Sequence, residues 1–255
     1  MLKLFLSLCP LCLTANIAAA PLSQWSATTM NEMLGEAQHI VDPGERVAFI
    51  STHFLNTRYQ ANTLVGSATV AEQFTIRWDA VDCMTFIEYV EAMRLSSTLD
   101  EIPEQLVTVR YHAGEVDYYQ RKHFFTDWLQ NNTVLIEDVT ALVGQEASLQ
   151  ALKKLNDGAT KTLLPDIPIS ERVVNYIPAN KINTEILHRL KNGDYIGIYS
   201  DRPGLDVNHV GILIHKPTGV YFRHADSDAP NRKVVDVNFE HFFKRQRGFM
   251  VFRPH

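Results

Sequence analysis

A chain of 255 residues, of which 45% are hydrophobic and 21% charged, has the composition of an ordinary globular protein and can bury a full core without disulfides. Its formal net charge of −5 at pH 7 gives no electrostatic reason to expect nucleic acid as a partner. Beyond residue 20, no stretch approaches the roughly eighteen consecutive apolar residues that a membrane-spanning helix requires.

The first twenty residues, MLKLFLSLCPLCLTANIAAA, have the order of a secretory signal peptide: a positive charge, a short apolar run and a small-residue cleavage site. We expect cleavage after Ala20, which leaves residues 21–255 as a secreted protein without a membrane anchor, most simply in the bacterial periplasm. Cys9 and Cys12 leave with the signal. Cys83 is then the one remaining cysteine, and it has no partner for an internal disulfide.

Helices are predicted in the first half of the chain. Thr29–Val41 and Pro43–Asn56 read as two helices, with Asp42 as the cap of the second and proline at its first position. Asp82–Leu95 reads as a third helix because its apolar residues recur at helical spacing. Ile102–Arg110 is predicted as a fourth helix.

Strands dominate the second half. The predicted strands are NNTVLIEDVT, DYIGIYS, NHVGILIH, GVYFRHA, KVVDV and FMVFRP. Two short helices, Thr184–Leu190 and Phe239–Arg245, lie among them. Helices first and strands later predict an α+β fold. We expect one domain over residues 21–255, with a helical N-terminal part at 21–78 and the core at 79–255.

Cys83 lies in the first turn of the third predicted helix, directly after Asp82. A thiolate is the reactive form of cysteine, and the start of a helix stabilises negative charge. Asp79 and Asp82 are both candidates for the helix cap. Cys83 also falls on the apolar side of the helix, whereas Glu88 and Glu91 fall on the other side. A core thiol and a nucleophile both explain the inward orientation, and the position at the helix start favours a nucleophile.

A thiol nucleophile needs a base, and the stretch NHVGILIHKPTGVYFRHADSD offers two histidines. Two strands flank a four-residue turn, and pairing of His215 with Val220 would place Gly211 opposite His224. His209, Gly211 and His224 would then share one face of the hairpin. The two imidazoles would be diagonal neighbours, with backbones about 7–8 Å apart.

Gly211 removes the side chain that would stand between these two histidines. Asp226 would lie directly across from His209 and is the rival of His224 for the role of orienting residue. A one-residue slip would put His209 and His224 on opposite faces, so the prediction depends on the turn. The sequence has no H-E-x-x-H, G-x-S-x-G or glycine-rich phosphate loop, and we expect neither a metal nor a cofactor.

Four segments, VDCMTFIEYV, LKNGDYIGI, NHVGILI and FRHADS, resemble the NlpC-type cell-wall cysteine peptidases. RYHAGEVDYYQRKHFFTDW and GLDVNHVGI resemble, more specifically, a subfamily of N-acetylmuramoyl-L-alanine amidase-like proteins long catalogued as a domain of unknown function. The resemblance implies a papain-like α+β core, with a nucleophile helix packed on an antiparallel sheet and extra N-terminal helices. It also implies Cys83 as nucleophile, His209 as base and His224 as the orienting residue.

Two departures from the commoner members of that family bear on the substrate. Those members carry a small polar residue and then glycine after the cysteine, where this chain has Met84 and Thr85. The segment Arg110–Trp128 is an insertion relative to the minimal fold. Both departures suggest a substrate groove that differs from that of the commoner members. They favour cleavage of the amide between L-Ala and N-acetylmuramic acid, whether or not the sugar is in the anhydro form. The alternatives are a γ-D-Glu–diaminopimelate endopeptidase and a non-catalytic cell-wall-binding protein.

The expected partners are peptidoglycan fragments, that is muropeptides, and the protein is expected to act as a monomer. Arg121 and His123 are candidates for binding a substrate carboxylate or a sugar oxygen, although an ion pair or a surface turn explains them equally well. Trp128 is a candidate for stacking on sugar, although tryptophan more often lies in the core. Asp206, in the GLDVNHVGI stretch, is the fourth substrate-binding candidate.

Overall fold

The computed structural model describes residues 21–130, 135–228 and 230–255. The signal peptide predicted at residues 1–20 and the first part of the strand predicted from Asn131 lie outside the described residues. In the described ranges, no helix combines the length and apolarity needed to cross a membrane. Helices and a large antiparallel sheet together make the fold α+β, as predicted.

Four helices precede the large sheet. They are α1 (Ala27–Gln38), α2 (Pro43–Thr52), α3 (Cys83–Leu95) and α4 (Ile102–Arg110). Asp42 caps α2 as predicted, with its Oδ1 accepting a hydrogen bond from the backbone N–H of Glu45 at 2.9 Å. The helix ends before the predicted Asn56, because that residue adopts a φ of 69°, a left-handed conformation that cannot continue a right-handed helix.

The strands form one large sheet and two small ones. In chain order they are β1 (Arg58–Tyr59), β2 (Val65–Ser67), β3 (Val70–Gln73), β4 (Ala80–Val81), β5 (Ile136–Asp138), β6 (Leu149–Leu155), β7 (Ser170–Pro178), β8 (Tyr195–Tyr199), β9 (Val207–Lys216), β10 (Gly219–Ala225), β11 (Val234–Asn238) and β12 (Gly248–Pro254). The large sheet is antiparallel, in the order β11-β10-β9-β8-β12-β7-β6 with β5 beside β12. Strand β1 pairs with β4, and β2 pairs with β3.

Each face of the large sheet is covered by helices. Helices α1 to α4 cover one face, and their core includes Val210 and Ile212 of β9. The short helices α5 (Thr140–Gly144), α6 (Thr184–Arg189) and α7 (Phe239–Phe243) contribute to the core on the other face. Two covered faces explain why strand sequences such as YIGIY are apolar throughout.

Helix α3 is buried on all sides, so Glu88 and Glu91 do not face solvent as the sequence pattern suggested. Both carboxylates are 1% exposed and carry ion-pair partners. Arg110 Nε donates to Glu88 at 2.7 Å, and Arg94 donates to Glu91 at 2.7 Å. Burying an acidic residue requires such pairing, and here the arginines come from α3 itself and from α4. The pair of Glu88 with Arg110 ties the helix that carries Cys83 to α4, and the pair of Glu91 with Arg94 lies within the helix.

Candidate active site

Cys83 is the first residue of α3, as predicted. Asp82 is the cap, because its Oδ1 accepts the backbone N–H of Thr85 at 2.8 Å. Thr85 returns the interaction, with its Oγ1 accepting the backbone N–H of Asp82 at 2.9 Å. Asp79 instead pairs with Arg77 at 2.7 Å and is not the cap. Thr85 therefore helps to fix the start of helix α3.

The Cys83 thiol lies against strand β9. The backbone N–H groups of Val210, the residue after His209, and of Cys83 and Met84 lie close enough to the sulfur to affect its pKa. Burial, with a smaller contribution from the Asp82 carboxylate, raises the pKa of the thiol to about 12, and these backbone groups oppose the shift. The resting thiol is therefore protonated, and the nucleophile needs a base to become a thiolate.

The hairpin of β9 and β10 has the predicted register. His215 pairs with Val220 and Ile212 with Arg223, which brings His224 level with Gly211. The consequence is a direct hydrogen bond between His209 Nε2 and His224 Nδ1 at 2.8 Å. The two rings meet edge to face, with centroids 4.9 Å apart. Since Nε2 of His209 is engaged, Nδ1 is the ring nitrogen that this hydrogen bond does not use.

An aromatic ring supports both imidazoles. Phe222 stacks on His224 with centroids 5.0 Å apart and meets His209 edge-on at 6.1 Å. A Cβ on Gly211 would come within 2.6 Å of the Phe222 ring. The missing side chain at position 211 thus makes room for Phe222, which fills the space between the histidines that the sequence analysis took to be simply open. Phe242 lies on His224 as well, with centroids 5.1 Å apart.

Both imidazoles are neutral in the free protein. Burial, with a smaller contribution from the neighbouring His224, lowers the pKa of His209 to about 3. The pKa of His224 is also lowered by burial, with partial opposition from the Asp226 carboxylate. A neutral pair joined by one hydrogen bond has a definite tautomer: if His209 Nδ1 is to accept a proton, Nε2–H must donate to His224 Nδ1.

Asp226 faces the loop rather than the histidine pair. Its Oδ1 accepts the backbone N–H of Asp228 at 2.9 Å, and its Oδ2 accepts the side-chain amide of Asn231 at 2.8 Å. The negative charge of Asp226 acts on both histidines, but the hydrogen-bond partner of His209 is His224. The geometry therefore favours His224 over Asp226 as the orienting residue.

Tyr59 is a neighbour of the thiol that the sequence analysis missed. It lies on β1, which pairs in parallel with β4 so that Tyr59 stands beside Val81, two residues before Cys83. Burial raises the pKa of its phenol, and negative charge on Cys83 or Asp82 raises it further. The phenol therefore stays protonated in the neighbourhood of the sulfur. No local pattern marks this residue, because its placement depends on pairing across more than twenty residues.

Arg121 and His123 are held by the protein itself. Arg121 forms an ion pair with the buried Glu72 and lies over the ring of Tyr118, 5.6 Å from its centroid. His123 Nε2 contacts the backbone carbonyl of Tyr118 at 2.8 Å, and burial lowers the pKa of His123. These contacts hold the inserted segment against β3. They favour a structural ion pair over substrate binding as the role of Arg121.

Trp128 and Asp206 are each 1% exposed. Trp128 packs edge-on against Tyr195 in the core under the helices, so its indole has no free face for a sugar. Asp206 accepts the backbone N–H and the hydroxyl of Thr126 at 2.8 and 2.7 Å. That carboxylate holds the end of the insertion against the start of β9. Their burial gives both residues structural roles.

A cavity of about 250 Å³ lies beside the histidine pair, and His209, His224, Phe242 and Gln246 line part of it. In the described part of the chain, no group of three or more His, Cys, Asp or Glu residues is arranged to hold a metal ion. The chemistry available at the site is thus a thiol, two neutral imidazoles in contact, and nearby phenol and backbone donors. That set is suited to acyl transfer through a covalent intermediate.

Comparison with known proteins agrees with this chemistry. Residues 49–249 match the model of the AmiA-like family, described as N-acetylmuramoyl-L-alanine amidase-like. The comparison with curated proteins finds no match. Among solved structures, an N-acetylmuramoyl-L-alanine amidase from Bacteroides uniformis ATCC 8492 is 27% identical, with a TM-score of 0.70 over 84% of this chain and 99% of its own.

Two further structures share the fold. The protein LPG0564 from Legionella pneumophila, assigned to the family DUF1460, has a TM-score of 0.74 over 89% of this chain and 94% of its own, at 23% identity. A Bacteroides fragilis protein provisionally named as a xylanase is 30% identical, with a TM-score of 0.66 over 80% of this chain and 98% of its own. The similarity thus spans nearly the whole length of each relative.

Proposed function

Because the chain belongs to the N-acetylmuramoyl-L-alanine amidase-like family, we propose that it hydrolyses the amide between N-acetylmuramic acid and L-Ala in peptidoglycan fragments, with Cys83 as the nucleophile. The family and its amidase relatives support a peptidoglycan amidase-like hydrolase. The observation that carries the thiol mechanism is the placement of Cys83 beside strand β9. The sulfur lies near the backbone of Val210, and the preceding residue, His209, is hydrogen-bonded to His224.

The mechanism begins from neutral groups. His209 Nδ1 takes the Cys83 proton as the sulfur attacks the carbonyl carbon of the lactyl amide. The resulting imidazolium protonates the nitrogen of L-Ala, and the peptide leaves. Water, deprotonated by His209, then hydrolyses the thioester and restores the thiol. His224 accepts the hydrogen bond from His209 Nε2–H throughout, which keeps Nδ1 directed at the reaction.

The charge that develops on the carbonyl oxygen needs donors. The backbone N–H of Cys83 is one, because Asp82 caps the N–H of Thr85 and leaves that of Cys83 free of the cap. The protonated phenol of Tyr59 is proposed as the second donor, from its position beside the thiol. Removing one such donor typically costs an enzyme about 3–4 kcal/mol of transition-state stabilisation.

Three broader expectations remain part of the proposal. We propose that the core is of the papain-like NlpC type, on the basis of a nucleophile helix packed against an antiparallel sheet. Secretion to the periplasm and action as a monomer are proposed from the sequence of residues 1–20 and from the expected soluble substrate.

The test is mass spectrometry of a purified disaccharide-tetrapeptide after incubation with the protein. An amidase releases free disaccharide and an intact tetrapeptide. A γ-D-Glu–diaminopimelate endopeptidase instead leaves a shortened stem on the sugar, which would keep the thiol mechanism and change the specificity. Binding without cleavage, of this fragment and of intact sacculi, would refute the enzymatic proposal and favour a cell-wall-binding protein.

The third catalytic role gives a prediction about side chains on β10. We expect His224→Ala to lower kcat/KM by about 10²-fold or more, because His209 would lose the acceptor that fixes its tautomer. His224→Asn should recover part of the loss, since its amide oxygen can replace Nδ1 as acceptor. Asp226→Ala should lose less than about tenfold, since its oxygens bond to the loop. Steady-state kinetics that gave the reverse order would transfer the role to Asp226.

A further inference from the structure

A second groove, of about 580 Å³, opens at the end of the large sheet nearest the histidine pair. Tyr176, Tyr199, Lys181 and Arg247 are among its lining residues. Gln246 lines both this groove and the cavity beside His209 and His224, so the two spaces are neighbours at that residue. The groove therefore lies next to the histidine part of the proposed catalytic site.

The groove is positively charged within an acidic protein. Lys181 and Arg247 contribute two cations against the single carboxylate of Asp201, while the whole chain has a net charge of −5. The pairing of Arg247 with Asp201 at 2.8 Å is highly exposed, with side-chain exposures of 74% and 58%. An exposed pair of this kind contributes little and opens easily to another anion. These cations favour a ligand that carries carboxylates.

The backbone segments that carry the two cations are joined to each other. Lys181 ends the 3₁₀ turn Ala179–Lys181 after β7, and Arg247 directly precedes β12. The backbone N–H of Ala179 donates to the carbonyl of Arg247 at 3.1 Å, which joins the two segments. The site is thus set on the ends of paired strands rather than on a free loop.

The tyrosines form a wall that suits a peptide better than a sugar. Tyr176 and Tyr199 stack face to face, with centroids 3.9 Å apart and planes within 8° of parallel. Lys153 Nζ also lies 5.3 Å from the centroid of Tyr199. Sugars stack on open aromatic faces, and much of the face area here is already in use. What remains are ring edges and phenol hydroxyls, which hydrogen-bond to amides and carboxylates.

The dimensions of the groove also fit a short peptide. The strand order from His209 is β9-β8-β12-β7, so Tyr176 lies three strand spacings away. At about 4.8 Å per spacing, the groove extends about 14 Å from the histidine strand. An extended peptide of three to four residues spans about 10–14 Å. From the positive charge of the groove, its tyrosine wall and its length, we infer that this groove binds the anionic stem peptide of the muropeptide, with Lys181 and Arg247 as partners for its carboxylates.

The inference rests on the proposed amidase function, and kinetics on two substrates test it. The substrates are N-acetylmuramoyl-L-alanine, which has no stem beyond the first residue, and N-acetylmuramoyl-L-Ala-γ-D-Glu-diaminopimelate. In the double variant Lys181→Ala/Arg247→Ala, we expect the KM of the longer substrate to rise at least about tenfold, with kcat and the KM of the shorter substrate unchanged. Equal effects on both substrates, or no effect, would overturn the inference.

The matched control is Lys154→Ala. Lys154 lies on the same hairpin as Tyr176 but pairs with Glu171 at 3.4 Å on the exposed surface, with 58% of its side chain accessible. Its removal lowers the net charge without altering the groove, so KM should stay at the wild-type value for both substrates. Lys154→Ala removes one positive charge and the double variant removes two, so a rise in KM about half as large on a logarithmic scale would mean that net charge, not the groove, attracts the peptide.

Calorimetry with the free tripeptide L-Ala-γ-D-Glu-diaminopimelate separates this inference from the amidase proposal. Cys83→Ala should bind the tripeptide, and the triple variant that also lacks Lys181 and Arg247 should bind it at least about tenfold more weakly. If the wild type cleaves neither substrate, the amidase proposal fails, yet binding to Cys83→Ala would still support the groove. If the wild type cleaves both substrates with one KM and the tripeptide does not bind, the groove inference fails alone.

Discussion

Replacement of Cys83 by alanine is expected to abolish turnover of muropeptides, by at least about 10³-fold in kcat, and to leave the fold intact. The sulfur is the atom that would form the covalent bond to substrate, and no other thiol lies within residues 21–255. Stability should change little, because the helix start depends on the reciprocal hydrogen bonds between Asp82 and Thr85, which the substitution does not touch. Mass spectrometry of the products, together with the thermal midpoint, measures both effects.

Two controls make the result specific to nucleophilic attack. Cys83→Ser keeps the size and a hydrogen-bonding atom but is a far weaker nucleophile, so it should be nearly as inactive as Cys83→Ala. Incubation of the wild type with iodoacetamide should label Cys83 faster as pH rises, since burial raises the pKa of its thiol to about 12. Full activity in Cys83→Ala would refute the thiol mechanism and leave the cysteine as a core residue.

The histidine pair shows how far sequence reasoning reached into the site. The four-residue turn after His215 fixed one register, and that register brought His209 and His224 together, because strand pairing propagates strictly once a turn is set. The role of Phe222 was not predictable in this way. Its ring fills the space over Gly211 only because α7 and its neighbours pack Phe222 from the other side. The local sequence pattern determined the contact between His209 and His224, whereas tertiary packing determined the position of the Phe222 ring that supports them.

The elements that the sequence analysis missed depend on distant partners. Strand β6, with the sequence LQALKKL, has leucines three residues apart, a spacing more typical of a helix than of a strand. It is extended because it pairs along its whole length with β7. The groove walls come from β7, β8 and the residue before β12, which are far apart in the chain. No local pattern marks such a surface before the sheet order is known.

The dependence on distant partners also explains why the residues of the insertion that were predicted to bind substrate are instead held by contacts within the protein. Arg121, His123 and Trp128 were chosen for residue type within a segment that looked additional. The structure shows that Glu72 and the core anchor the segment to the rest of the molecule, and that His123 is held by the Tyr118 carbonyl within the segment. A charged or aromatic side chain can bind a ligand only where its contacts within the protein leave it accessible. The sequence alone does not reveal those contacts.

Replacement of His209 by alanine is expected to lower kcat by about 10²–10⁴-fold, because a thiol with a pKa of about 12 is protonated at neutral pH and needs a base. Cysteine and base act as one unit, so Cys83→Ala/His209→Ala should be no worse than Cys83→Ala. His209→Gln, which keeps a polar side chain of similar reach without a basic nitrogen, should be as inactive as His209→Ala. Activity near the wild-type level in either variant would assign the base to another residue.

The pH profile of the wild type tests the same residue without mutation. An ordinary histidine with a pKa of about 6.5 would be about 97% protonated at pH 5, which would cost a general base about 30-fold in kcat/KM. Burial lowers the pKa of His209 to about 3, so its neutral, proton-accepting form persists as pH falls. We therefore expect kcat/KM to stay nearly level from pH 7 to pH 5. A 30-fold decline with a midpoint near 6.5 would mean that His209 is solvated in the working enzyme and that its burial does not set its protonation.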